Sequence, residues 1–447
     1  MTSAAEQFAA NINFSAFSKA TELKKRLWFT LGMLVVYRLG TYIPLPGIDA
    51  VVLQDIFARQ AGGILGMFDM FAGGALSRMT IFALNIMPYI SAAIIMQLMT
   101  AVSPRLEQLK KEGESGRRTI NQYTRYGTVL ITAVQAYGIA VALEGMSSSA
   151  GPAVHNPGWF FRFTIVITLV GGTMFLLWLG EQVTQRGVGN GISLIIFAGI
   201  VANLPTALVG TLEMGRTGAL STLFIIFLLV MAAGVIAFII FVERAQRRIV
   251  IQYPKRQIGN RMTGGESSHL PLKINTAGVI PPIFASSILL MPITALNFWS
   301  GQGPEFLTTI AAYLGRGQPV YLLVYIGMIV FFAFFYTAIV FNPADTADNL
   351  KKYGGFVPGI RPGKNTAEFL DRVLTRLTTV GAAYLAAVCL LPEILISRYS
   401  VPFYFGGTSL LIVVTVTLDT VGQIQSHLLA HQYEGLIKKA KLRGRRG

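Results

Sequence analysis

Gly191-Ile192-Ser193-Leu194-Ile195-Ile196 opens one apolar run of this chain, and Gly407-Thr408-Ser409-Leu410-Leu411-Ile412 opens another. A second pair recurs in the same order. Ile86-Met87-Pro88 followed by Ser91-Ala92-Ala93-Ile94 matches Ile280-Pro281-Pro282 followed by Ala285-Ser286-Ser287-Ile288. Two ordered matches make an internal repeat of two halves. Apolar runs fall at roughly 27–43, 79–101, 124–143, 160–180, 191–210, 219–242, 276–297, 319–341, 377–393 and 403–421. Each is close to the ~20 residues that a helix needs to cross ~30 Å of hydrocarbon. Each half then holds five spans, an odd number, so equivalent spans run in opposite directions. In such inverted repeats the functional path lies near the midplane, between the halves. The expected fold is an all-α polytopic membrane protein of ten transmembrane helices in two inverted five-helix halves.

Charge orients the spans. Of 37 Lys and Arg, 30 fall in the two tails and in every second connector; the 21 acids split 13 to 8 over the same regions. The net charges are +17 and −1, which make up the overall +16. This is the positive-inside pattern of a polytopic protein with both termini cytoplasmic. Charged residues are 13% of the chain, against roughly a quarter in soluble proteins. The lone Cys389 lies in a span, so no disulfide framework exists. Residues 1–22 carry no h-region or cleavage site, so the first span is expected to serve as its own insertion signal. The chain divides into a cytoplasmic N-terminal segment (1–26), an N-terminal half (27–210), a C-terminal half (211–421) and a basic cytoplasmic tail (422–447). The large cytoplasmic loops of the second half are 243–275 and 342–376.

On the outer side, residues 44–78 form one long excursion containing GGILGMFDMFAGG, residues 62–74. It is as apolar as a span but too short to cross, which points to a re-entrant segment or an interfacial helix on the outer surface. Ionisable residues, which mark ion and proton pathways in membranes, are nearly absent from the spans. Arg38 lies near an outer end and Asp419 near an inner one. A pump, proton-coupled transporter or voltage sensor is disfavoured. The repeated spans offer branched apolar side chains instead: Ile86 and Ile90, Ile192 and Ile196, Ile283, and Ile412. Any one of them fits lipid contact or ordinary packing. Together, on the four repeated helices, they fit an apolar constriction that excludes water and ions when closed. Pro88, Pro281 and Pro282 are expected to kink or loosen their helices. Ser91, Ser286, Ser287 and Asn275 are expected to hydrogen-bond across the seam between spans two and seven.

Other chemistry finds no footing. Gly187-Val188-Gly189-Asn190-Gly191 lacks the preceding strand and the lysine of a phosphate loop. His427 and His431, with Glu434 beyond, lack further ligands in a basic tail. No catalytic residue, cofactor or metal site is expected. The residues leave three function classes open: a polypeptide channel, a secondary transporter of an apolar solute, and a scaffold for membrane assembly without a pore. A transporter needs a small polar site at the midplane, whereas a polypeptide channel needs an apolar ring and basic docking loops.

The strings GGALSRMTIFALNIMPYISAAIIMQL, KKEGESGRRTINQYTRYG, LGEQVTQRGVGNGISLIIFAGIV, FNPADTADNLKKYGGFVPGIRPG and VPFYFGGTSLLIVV resemble the SecY family of bacterial protein-conducting channel subunits. The resemblance runs from about residue 20 to 440. It implies a clamshell of two halves around a central pore in the bacterial inner membrane. Unfolded secretory chains would cross through that pore and membrane helices leave sideways into lipid. It assigns Ile86, Ile90, Ile192, Ile196, Ile283 and Ile412 to the pore ring. Gly62, Ile64, Leu65, Met67, Phe68, Met70, Phe71 and Gly74 fall in the plug. Pro88, Ser91, Asn275, Pro282, Ser286 and Ser287 fall on the lateral gate. Arg247, Arg248, Lys255, Arg256, Arg261, Lys351, Lys352 and Arg361 fall in the loops that dock partners. The implied partners are the SecE and SecG subunits, the SecA motor, the ribosome, signal peptides and nascent polypeptides, and membrane lipids. Where members often carry two adjacent arginines at the tip of the 243–275 loop, this chain has Asn260-Arg261.

Overall fold

The computed structural model describes residues 21–49, 52–53, 69, 72–145, 147–148, 151–218, 221–253, 256–258, 261–263, 267–297, 309, 313, 318–399 and 407–443. Its first half contains α1 (Thr21–Gly40), α2 (Met87–Val102), α3 (Pro104–Lys111), α4 (Glu114–Gly145), the short strands β1 (Ser147–Ser148) and β2 (Gly151–Pro152), α5 (Trp159–Arg186) and α6 (Gly191–Arg216). The second half contains α7 (Thr222–Arg244), strands β3 (Gln246–Gln252), β4 (Arg256–Ile258), β5 (Arg261–Thr263) and β6 (Ser267–Lys273), then α8 (Ile280–Asn297), α9 (Pro319–Val340), α10 (Pro343–Lys352), α11 (Lys364–Tyr399) and α12 (Gly407–Arg443). Ten of these helices stand at the ten expected spans. Seven are long and apolar enough to cross a membrane by themselves, and α2 with α3, bent by 98°, makes an eighth candidate.

Hydropathy locates where helices meet lipid, not where they end. Helix α12 has 37 residues, about 55 Å at ~1.5 Å per residue, and runs on past the expected limit at residue 421. Helix α11 likewise begins at Lys364 and not at residue 377. No proline interrupts either extension, and the one glycine beside an expected span end, Gly422 of α12, is carried within the helix, so both helices run on beyond their apolar stretches.

Span two departs from expectation in the other direction. Thr80 forms a bridge to Pro44, residues 81–86 run as turns, and α2 begins only at Met87. Met79 and Asn85 adopt φ +43° and +48°, left-handed values that no helix accommodates. Pro88 therefore occupies the first turn of α2, and Pro281 and Pro282 the first turn of α8. These prolines do not kink their helices. They start them, where the missing N–H would have had no intrahelical partner.

The two repeated glycines have a common cause. Gly191 opens α6 against α5, where an added Cβ would overlap the carbonyl oxygen of Gly180; Gly407 opens α12 against α11, where it would overlap that of Val388. The repeat in sequence is thus a repeated backbone-to-backbone contact. One apolar core fills the first half around Tyr37, Phe82, Ile165, Leu176 and Ile195, and it reaches across to Phe284, Phe332 and Ile412 of the second. Another fills the second half around Ile239, Tyr325, Ile329, Leu385 and Leu411.

The 243–275 loop, for which the sequence reading named no strands, folds back as an antiparallel ribbon. β3 pairs with β6 from Gln246↔Lys273 to Gln252↔Ser267, and β4 pairs with β5. Burial alternates over Arg248, Ile249, Val250 and Ile251, the period-two signal of a strand with one covered face. Phe356 of the next loop pairs with Gln252 in both directions, at 2.9 and 3.0 Å. Ile249 and Leu272 pack with Val357, Leu370 and Val373, which makes both loops one unit on the end of α11.

Candidate functional site

Five of the six candidate isoleucines converge. Ile86, Ile90, Ile196, Ile283 and Ile412 line one cavity of about 10 Å³, at the lower limit for a single water. Ile86 is the residue before α2, and its carbonyl accepts from Ile90 N at 3.1 Å, so these two stack one turn apart. Ile196 lies in the second turn of α6, whose start is fixed by Asn190. That side chain accepts from Ile192 N at 3.1 Å and Ser193 N at 3.3 Å, an N-cap. Ile283 comes from the first turn of α8 and Ile412 from the second turn of α12. Two elements from each half therefore meet at one narrow point. Ile86 and Ile412 are 2% exposed, Ile90 7% and Ile196 8%.

Ile192 is not among the lining residues. It sits one turn before Ile196 and packs against Gly180 of α5, where an added Cβ would come within 3.2 Å of its Cγ1. The i, i+4 spacing put both isoleucines on one face, but the close crossing of α5 and α6 takes up the first. Asn85, Met87 and Ser286 complete the lining. Sequence reasoning did not select Asn85 or Met87 for it, although Met87 lies inside the matched Ile-Met-Pro string.

A second, much larger cavity of about 710 Å³ is polar. It shares two helices with the narrow one. Along α6 the face passes from Ile196 to Ser193 and Asn190; along α12 it passes from Ile412 to Thr415, Asp419 and Gln423. Steps of three and four residues keep one helix face, so the same wall turns from aliphatic to polar within about two turns. Glu243, Arg244 and Lys273 add charge to the wide end. Glu243 was placed in the 243–275 loop by the hydropathy boundary. It is instead in the last turn of α7, where its Oε1 accepts from Asn275 Nδ2 at 2.7 Å. The signal available in sequence was its position one residue beyond the apolar run.

The gate candidates behave differently from expectation. Ser286 and Ser287 donate to Ile283 O at 2.9 and 2.8 Å, within their own helix. Asn275 bonds Glu243 and its own turn at Gly278. Among the described residues these three have no bond across the seam: each serine is satisfied by a carbonyl of its own helix, at lower conformational cost than a partner helix would ask, and Asn275 by Glu243 of α7 and its own turn. Pro88 and Ser91 lie in the first two turns of α2, and Pro282 in the first turn of α8.

Of the plug candidates, Gly62, Ile64, Leu65, Met67, Phe68, Met70 and Phe71 lie outside the described residues. Gly74 is described, and its neighbourhood is firmly tied. Arg38 Nη1 and Arg78 Nη2 both donate to Gly73 O, at 2.8 and 3.2 Å, and Arg78 Nε donates to Gly74 O at 2.9 Å. Gly73 takes φ +66°, and an added Cβ would approach Gly199 Cα of α6 at 3.0 Å. Both guanidinium groups lie over the Tyr42 ring, at 5.0 and 4.3 Å.

Among the docking candidates, Arg247 and Arg248 are exposed on β3, Lys351 and Lys352 are exposed at the end of α10, and Arg361 is exposed in the loop that pairs with β3. Arg361 O accepts from Thr366 Oγ1 at 2.9 Å, which fixes the backbone beside the side chain. Arg256 and Arg261 lie on the β4–β5 hairpin, and Lys255 lies outside the described residues.

A sequence model of the SecY family matches residues 80–421. The protein translocase subunit SecY of Escherichia coli strain K12 is 58% identical over 424 residues, covering 95% of this chain and 96% of that protein. One similar solved structure is of a SecY protein whose plug domain stabilises the closed state of the translocation channel. It matches with a TM-score of 0.66 at 20% identity, over 91% of this chain and 92% of that one. Sec61 in the canine ribosome–channel complex from the endoplasmic reticulum matches with a TM-score of 0.62 at 19% identity, over the same shares.

Proposed function

This chain belongs to the SecY family, and we propose that it is the central pore-forming subunit of a protein translocase. It is a membrane protein that conducts unfolded secretory polypeptides, and it releases apolar helices sideways into lipid. The observation that carries this reading is the pair of cavities. A wide polar vestibule narrows to an aliphatic neck with room for about one water. A hydrated ion gains nothing from aliphatic walls, and a narrow apolar neck dewets, so the resting path is sealed. The same walls make no chemical demand on a passing side chain. That indifference suits a substrate of arbitrary sequence and does not suit a transporter of one solute.

The neck isoleucines act as the ring, α2 and α8 as the edges of the lateral gate, and segment 62–74 as the plug. The gate opens by separation of apolar surfaces, since the serines at the seam keep their hydroxyls within α8. The chain is not an enzyme, and the work comes from a partner. The exposed arginines of β3 and Arg361 stand on one folded unit, which suits docking of the SecA motor or the phosphates of a ribosome. SecE and SecG accompany the chain in the bacterial inner membrane, with both termini cytoplasmic. Signal peptides and nascent chains enter through the vestibule. The test is reconstitution with SecE, SecG, a SecA-type motor and a precursor in liposomes. The expected result is ATP-dependent protection of the precursor from added protease. A complete absence of protection with partners that support another SecY would overturn the reading.

A further inference from the structure

Helix α8 is held at its cytoplasmic end by a polar anchor. Asn275 is 4% exposed and spends its whole amide there. Its Nδ2 donates to Glu243 Oε1 at 2.7 Å and to Gly278 O at 3.1 Å, while its Oδ1 accepts from Gly278 N at 3.1 Å. Gly278 takes φ +64°, which closes the turn just before α8 begins. The chain is pinned on two further sides. Ile274 N donates to Ala245 O at 3.2 Å, and an added Cβ on Gly381 of α11 would stand 2.9 Å from Ile274 O. Beyond this point α8 changes character. It presents Ile283 to the neck and packs Phe284 edge-on against Phe332 of α9, with centroids 5.6 Å apart. Aliphatic and aromatic contacts of this kind are non-directional and allow displacement in a way the anchor does not.

Glu243 faces two ways. Its carboxylate holds Asn275, and it also lines the vestibule with Lys273, Arg244 and Asp419. We propose that the Asn275–Gly278 turn is the hinge of α8, and that Glu243 is the positioning residue that couples this hinge to the contents of the vestibule. A polypeptide segment there presents backbone amides and cationic side chains. A cation makes a charge-assisted bond to a carboxylate, about twice as strong as a neutral one, and so competes with Asn275. An occupied vestibule then favours the displaced position of α8 by differential binding alone. The inference rests on the protein-conducting reading of the site.

The test reverses the hydrogen bond. Asn275→Asp is isosteric and keeps the acceptor for Gly278 N, but sets two carboxylates against each other. Adding Glu243→Gln restores the bond with donor and acceptor exchanged. Spin labels on Ile95→Cys of α2 and Ser287→Cys of α8, in a Cys389→Ala background, report the seam distance of the full complex in liposomes. Asn275→Asp is expected to raise the long-distance population at least about tenfold, and the double variant to return it to within about threefold of the parent. In Glu243→Gln alone, whose amide oxygen still accepts from Asn275, the resting distance is expected to stay short. Arrest of a precursor in its vestibule is expected to shift that distance at least about threefold less than in the parent. Unchanged distances in Asn275→Asp, failure of Glu243→Gln to reverse them, or an undiminished response to the arrested precursor would each overturn the proposal. If Asn275→Asp does not accumulate, Asn275→Ala removes the same donor; its long-distance population is then expected to rise and not to be reversed by Glu243→Gln, and an unchanged distance or a reversal overturns the proposal. Precursor protection is scored in the same liposomes. If the parent protects nothing, the conducting reading falls, while the reversal still judges the hinge.

Discussion

At the scale of single residues, the glycines carry more of the fold than composition reveals. A glycine count says only that helices are able to approach closely. The repeat GISLII and GTSLLI was legible, but its reason was not, because nothing in sequence identifies which carbonyl lies opposite. Gly191 meets Gly180 O and Gly407 meets Val388 O, so either substitution by Ala forces the helix start away from its neighbour. Overpacking of this kind costs about 1–3 kcal/mol. Gly191→Ala and Gly407→Ala are each expected to lower the midpoint of thermal unfolding in detergent. Gly210→Ala in the same α6, with nothing within 4 Å of the added Cβ, is expected to leave it unlowered, or to raise it slightly by the better helix propensity of alanine. Equal midpoints for all three would remove the close-approach explanation. The neck isoleucines were legible for a similar reason, since a repeat selects positions that one helix alone does not. Ile192 escaped because the spacing rule defines a helix face and is silent on which neighbour covers it.

At the scale of elements, helix existence was readable and helix ends were not. The prolines are the clearest case. Pro88, Pro281 and Pro282 read as kinks while their spans were taken to begin upstream; once Met79 and Asn85 turn the chain before α2, and Gly278 turns it before α8, the same prolines become starters. The 243–275 ribbon was equally hidden, because QRRIVIQ does not alternate polar and apolar residues in sequence and, amid charges, looks like a solvated loop. Its pairing with the 353–363 stretch places Arg361 on a framed surface: Phe356 is hydrogen-bonded to Gln252, and Val357 and Leu370 are buried. An exposed side chain on a rigid support suits docking and contributes little to folding. Arg361→Glu is therefore expected to reduce ATP-driven translocation at least about tenfold while abundance in the membrane stays near the parent level, because surface changes typically cost within ~0.5 kcal/mol of stability. Membrane fractionation beside the protection assay separates the two. Loss of the protein itself would assign Arg361 a structural role.

At the scale of the whole molecule, two halves of opposite orientation meet through a narrow aliphatic point, with a polar vestibule on one side of it. The repeat marks helices that meet, and the two cavities lie along α6 and α12, one narrow and aliphatic, the other wide and polar. In the proposed reading the aliphatic neck is the ion seal of a polypeptide channel. Its most direct test is the resting conductance of the reconstituted complex in planar bilayers, comparing the parent with Ile86→Asn, Ile196→Asn and Ile412→Asn combined, and with Ile192→Asn alone. Amides at the neck offer water hydrogen bonds that isoleucine does not, so the combined variant is expected to leak at least about tenfold more than the parent. Ile192→Asn, which changes a residue outside the lining, is expected to stay within about twofold, since conduction is set at the constriction. A combined variant as ion-tight as the parent, or a leak from Ile192→Asn equal to that of the combined variant, would contradict the assignment of the neck.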